Sequence, residues 1–174
     1  MTNRTITKDQ WNNLKAETSN SVLSILDTVD VLIDYTRKSP HPYSSVKLMC
    51  TGLYTHAVEE YGKLLYLESL HPVNDLVDID YDAKFKNHRL KFELALKKLP
   101  SNCKILRIGA FDSNVFQSDA FDTGTFADWE TRLGIFNTNF DNSGNVVPYP
   151  IIDLDKLYEA TIEFRKEMNR AISL

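Results

Sequence analysis

Apolar side chains recur at steps of three and four along most of this chain, the spacing of a helix face. From Lys8 to Lys38, the positions Trp11, Leu14, Thr18, Val22, Ile25, Val29 and Leu32 fall on one stripe. Thr7 and Gln10 have the spacing of a capping box at its start. Pro40 and Pro42 end it, because proline cannot continue a helix. A second helix is predicted over Ser44–Leu70, with Cys50, Leu53, Ala57, Glu60, Leu64 and Leu67 as its stripe. Gly52 and Gly62 each cost that helix about 1 kcal/mol relative to alanine, so each is a candidate for close approach by another element. A third helix is predicted from Asp82, as N-cap, to Pro100, with Phe85, His88, Phe92, Ala95 and Leu99 inward.

Between positions 101 and 130, Gly, Asp, Ser and Thr alternate with Phe, which predicts an irregular surface segment. Arg132–Phe140 then reads as a strand, Asp141–Asn145 as a turn, and Val146–Tyr149 as a short return strand. Pro148 and Pro150 confine that strand to an edge. The last helix is predicted over Leu154–Ile172, capped by Asp153, with Ile152 and Leu157 as a hydrophobic staple. The fold class expected is all-α in the main: an antiparallel four-helix-type bundle with a small β-hairpin excursion before the last helix.

Composition narrows this picture. The 174 residues suit a single domain spanning 1–174, and 43% hydrophobic with 25% charged residues is ordinary for a globular chain. A net charge of −4 argues against bulk attraction to nucleic acid, though not against a local basic face. Cys50 and Cys103 match no metal spacing and are expected as reduced thiols. Met1–Gln10 lacks the apolar core of a signal peptide, and no run approaches a membrane span. A cytoplasmic protein with no membrane partner is expected.

Two polar residues lie on predicted packing stripes, Glu60 and His88. A buried carboxylate or imidazole needs a partner, and the simplest arrangement pairs these two across the second and third helices. Lys63 and Lys91 each lie one turn further on, with Glu59 as an i, i+4 partner for Lys63. The cluster His88, Lys91, Glu60 and Lys63 reads in two ways. It is a structural network fixing helix register, or a catalytic or anion-binding site with His88 as acid or base. A third reading takes His56, Glu60 and His88 as metal ligands. Against it, the Glu-x-x-His motif of di-iron bundles is absent, His56 and Glu59 standing in the reverse order. No cofactor is therefore expected. The third helix is also basic. Lys84, Lys86, Arg89, Lys91, Lys97 and Lys98 are opposed only by Glu93, giving either a solvated face or a contact surface for RNA or an acidic protein. No phosphate-binding loop, dinucleotide fingerprint or serine-nucleophile elbow is present.

Two stretches together resemble the AbiV family of abortive-infection proteins: Ala57-Val-Glu-Glu-Tyr-Gly-Lys63 and His88-Arg-Leu-Lys91. Downstream, Arg132-Leu-Gly-Ile-Phe-Asn-Thr-Asn-Phe140 and the Val147-Pro148 pair are similar to that family's arginine, strand and proline-bearing segment. The chain departs from the pattern at Ile135-Phe-Asn-Thr, where a Tyr-Val-Asp type strand is usual, and at Val147, where tryptophan often precedes the proline. The resemblance covers roughly residues 20 to 170. It implies a HEPN-like bundle, a homodimer, and a role in stopping phage propagation by binding a phage protein, RNA or the translation machinery. Many HEPN proteins are metal-independent ribonucleases marked by an arginine and a histidine with four to six residues between them. Here Arg37 and His41 are separated by only three residues, so that signature is absent. Were RNA cleaved, His88 would be the acid or base, and Arg89, Lys91 or Arg132 would stabilise phosphate charge. Arg89, Lys84, Lys86 and Arg132 are the candidate binding residues.

Overall fold

The computed structural model describes residues 3–39, 44–104, 139–140, 146–147 and 153–172. The chain is mainly helical. The elements are β1 (Asn3–Thr7), α1 (Lys8–Lys38), α2 (Ser44–Glu68), β2 (Leu76–Asp80), α3 (His88–Lys98), β3 (Asn139–Phe140), β4 (Val146–Val147) and α4 (Leu154–Ile172). A π-helical turn, Tyr81–Phe85, precedes α3, and a 3₁₀ turn, Ser101–Lys104, follows it. Among the described residues, no helix is long and apolar enough to cross a membrane.

The capping box at Thr7 and Gln10 forms as the sequence predicts, with both reciprocal bonds in place. Asp153 likewise caps α4, accepting from the backbone N–H groups of Asp155 and Lys156. The predicted staple partner Ile152 lies outside the described residues. At α3 the prediction needs correction. Asn87, not Asp82, is the N-cap, and Asp82 lies inside the π-helical turn that Asp80 caps. The helix therefore begins at His88, which places that histidine in the first turn rather than on the buried stripe.

α2 lies at the centre, with α1, α3 and α4 packed around it. Trp11 Nε1 near the start of α1 donates to the Leu67 carbonyl near the end of α2, at 2.9 Å, so these helices run antiparallel. α4 runs antiparallel to α1. Arg37 near the end of α1 reaches Asp155 in the first turn of α4 at 2.5 Å, and Arg165 bridges Asp27 (2.9 Å) and Asp30 (2.6 Å) further along. Thr161 also donates to Asp30. The main core joins Val22, Leu26, Val29 and Ile33 of α1 to Tyr54, Ala57, Val58, Tyr61 and Leu64 of α2. Phe92 and Ala95 come from α3 and Leu157, Phe164 and Met168 from α4. Tyr54 and Tyr61 meet Phe164 edge-on, with ring centroids 5.9 and 5.3 Å apart. The Tyr61 hydroxyl approaches Glu167 at 3.5 Å, and burial, reinforced by that carboxylate, holds its phenol well above the ordinary range.

A second small core lies under a sheet that the helical spacing did not foreshadow. β1 and β2 pair antiparallel from Asn3 with Asp80 to Thr7 with Leu76, and Val77 and Ile79 pack against Trp11, Tyr66 and Leu67. The turn entering β2 has positive φ at both Asn74 (50°) and Asp75 (61°), with Val73 and Leu76 exchanging backbone bonds across it. Asn and Asp tolerate that left-handed conformation better than other side chains. The hairpin expected before the last helix is present where it is described, with Asn139 opposite Val147 and Phe140 opposite Val146. The rest of the predicted strands, and the irregular segment before them, lie outside the described residues.

Cys50 and Cys103 are both buried and not joined in a disulfide, and burial pushes Cys50 up to about 11. A buried thiol held protonated is a poor nucleophile. Neither cysteine should react with Ellman's reagent at mildly alkaline pH in the folded protein, and both should react at once in denaturant. Rapid labelling of the native state would contradict this packing.

Candidate functional site

The polar cluster expected between the second and third helices exists, but its hub is Glu59 rather than Glu60. Glu59 sits in the middle of α2, its side chain only 2% exposed. Its Oε1 accepts from His88 Nδ1 and lies 3.3 Å from Lys91 Nζ. Lys91 is itself buried, its side chain 6% exposed, whereas the His88 side chain is 61% exposed. Glu60 pairs instead with Lys63 on its own helix, at 2.9 Å. The expected Glu60–His88 pair is thus replaced by Glu59–His88, and the expected Glu59–Lys63 pair by Glu60–Lys63. The role of Glu59 was hidden in the sequence because α2 is buried on nearly every side, so periodicity cannot rank two adjacent glutamates.

The backbone explains how these groups meet. Gly62 lies against the Lys91 carbonyl so closely that a Cβ there would sit 1.7 Å from the oxygen. Only glycine permits that approach, which brings the first turn of α3 onto α2 beside Glu59. Asn87 fixes where α3 starts by accepting from Leu90 N–H. A carboxylate enclosed this way needs compensating charge; Lys91 supplies it, and His88 adds a hydrogen bond.

No family model matches this chain, and no curated protein or solved structure matches it at a significant level. The chemistry must be read from its own residues.

The basic face is only partly what the sequence suggested. Lys84, Lys86, Arg89, Lys97 and Lys98 are exposed, but Lys91 is buried. Arg89 is paired with Glu93 at 2.8 Å, and Lys86 lies 4.0 Å from Asp82. Arg4, Lys86 and Lys84 also lie over aromatic rings: Arg4 and Lys86 over Tyr81, Lys84 at the edge of reach of Tyr66. Tyr81 stacks on Phe85 at 5.5 Å. Lys86 and Arg89 are thus answered by nearby carboxylates, which weakens their pull on a polyanion. Arg132 lies outside the described residues.

The metal reading also changes members. His56, Glu59 and Glu60 are brought together on one face of α2, with one donor atom from each within 4.8 Å of the others. Glu59 takes the place the sequence gave to His88.

Proposed function

We propose that this chain is a cytoplasmic phage-resistance protein of the AbiV type, working as a homodimer that binds a phage protein, RNA or the translation machinery. The observation that carries the reading is spatial. The two stretches on which the resemblance rests, 57–63 and 88–91, lie far apart in sequence yet form one seam. Glu59 meets His88 and Lys91 there, and Gly62 seats the Lys91 backbone. Within that seam the charges answer one another, Glu59 with Lys91 and Glu60 with Lys63, and His88 hydrogen-bonds Glu59. That is the behaviour of a scaffold that fixes helix register, and it leaves partner recognition to the surface.

One observation favours an enzymatic alternative, a metal-independent HEPN-like ribonuclease. His88 is exposed while its Nδ1 is held by a buried carboxylate, the orientation in which an imidazole serves as general acid or base. Phage plaquing separates the two. Cells making the wild type should yield fewer plaques than cells with empty vector. Cells making His88→Ala at matched soluble level should be protected equally. Loss of protection in that variant transfers the assignment to RNA cleavage by His88. Full plaquing on wild-type cells across a phage panel removes the defence role.

A further inference from the structure

We propose that His56, Glu59 and Glu60 bind a divalent first-row transition-metal ion, with zinc as the best-fitting probe. The three residues stand at i, i+3 and i+4 of α2, so the helix itself presents them on one face. The donor set is mixed: one imidazole nitrogen and two carboxylate oxygens, a set that suits Zn²⁺ and its neighbours better than Ca²⁺ or Mg²⁺. Donor atoms around one ion at about 2.0–2.2 Å sit roughly 3 to 3.5 Å from one another. The present group, within 4.8 Å, needs only small side-chain rotations to close.

Three further features support the assignment. His56 is exposed on the central helix, and no hydrogen bond or ion pair engages it among the described residues. Next, the carboxylates are held from behind. His88 and Lys91 both engage Oε1 of Glu59, and Lys63 engages Oε2 of Glu60. Outer partners of this kind orient ligating groups. Last, the site is anchored in the most buried helix of the fold, which supplies the rigidity that a three-residue site needs. The two ammonium groups also set the choice of ion. They oppose added positive charge, so only ions high in the affinity order for N/O sites compete well, which places zinc above manganese or iron. The remaining coordination positions fall to water, as in open rather than closed zinc sites.

The test is calorimetric titration of the untagged full chain with ZnCl₂ after chelator treatment. The wild type should take up one equivalent. His56→Gln and Glu60→Gln should each weaken that uptake by at least about tenfold, while His71→Gln, an exposed histidine elsewhere, should leave it unchanged. Circular dichroism on each variant confirms that the fold is kept. The proposal is overturned if no saturable one-to-one uptake occurs, or if His56→Gln and His71→Gln bind zinc as the wild type does. This outcome is independent of phage protection, so either reading can fail without the other.

Discussion

Gly62→Ala should destabilise the protein by about 3 kcal/mol, a large change for a single methyl group. An added Cβ would lie 1.7 Å from the Lys91 carbonyl oxygen and 2.4 Å from its carbon. Both are backbone atoms of α3, so no side-chain rotation relieves the clash, and the two helices must part. Alanine's intrinsic helix preference returns only about 1 kcal/mol. Separation also opens the cover over Glu59 and strips Phe92 and Ala95 from the core they fill. For a chain of this length, that loss lowers the melting temperature by roughly 6–12 °C. Thermal unfolding followed by circular dichroism measures it directly. An unchanged melting temperature would mean that α3 slides along α2 at little cost, and that the seam is not rigid.

Gly62 also illustrates what the sequence discloses. A glycine inside a helical stripe is a recognisable mark of close approach, and the structure supplies the neighbour. The bounds of α1 and α4 were legible for similar reasons, since Thr7, Gln10, Pro40 and Asp153 punctuate them with local chemistry. Phase was less legible. Ile25 and Leu32 continue the α1 stripe by spacing, yet Leu26 and Ile33 are the fully buried residues. α1 is covered by both α2 and α4, so its inward face is broader than one stripe and turns along its length. The start of α3 was misplaced because several Asx residues precede it. Asp80, Asp82 and Asn87 are all plausible caps, and two of them do cap, but different turns. The β1–β2 pairing had almost no local signal. Ile6 faces Val77 across about seventy residues, and each strand contributes only one or two inward apolar side chains. Such pairing rests on the packing of α1 against α2 that brings the two strands together, which no window of sequence records.

Lys91→Ala is the variant expected to damage the fold most through charge. It removes the ammonium beside the Glu59 carboxylate, which is 2% exposed, while His88 is largely in solvent. Removing one member of a buried pair costs about 3–5 kcal/mol, because the survivor stays desolvated without its partner. Glu59→Ala strands the Lys91 ammonium in the same way. Replacing both by apolar side chains of similar size, Glu59→Leu with Lys91→Met, removes both desolvation penalties and should recover most of the loss. In a double-mutant cycle of Glu59→Leu, Lys91→Met and the pair, the coupling between the two sites should therefore reach about 0.5–3 kcal/mol, read from denaturant midpoints. Simple additivity would mean that Glu59 and Lys91 do not act on each other, and the hub assignment would fall. The double variant then divides the functional readings more cleanly than any single change. It has the fold without the ions, and it also lacks the carboxylate that holds His88. If cells making it resist phage as the wild type does, the network serves only to set helix register and recognition lies on the surface. If it folds and protection is lost, the charges themselves take part, and the Glu59–His88 arrangement becomes the place to look for chemistry.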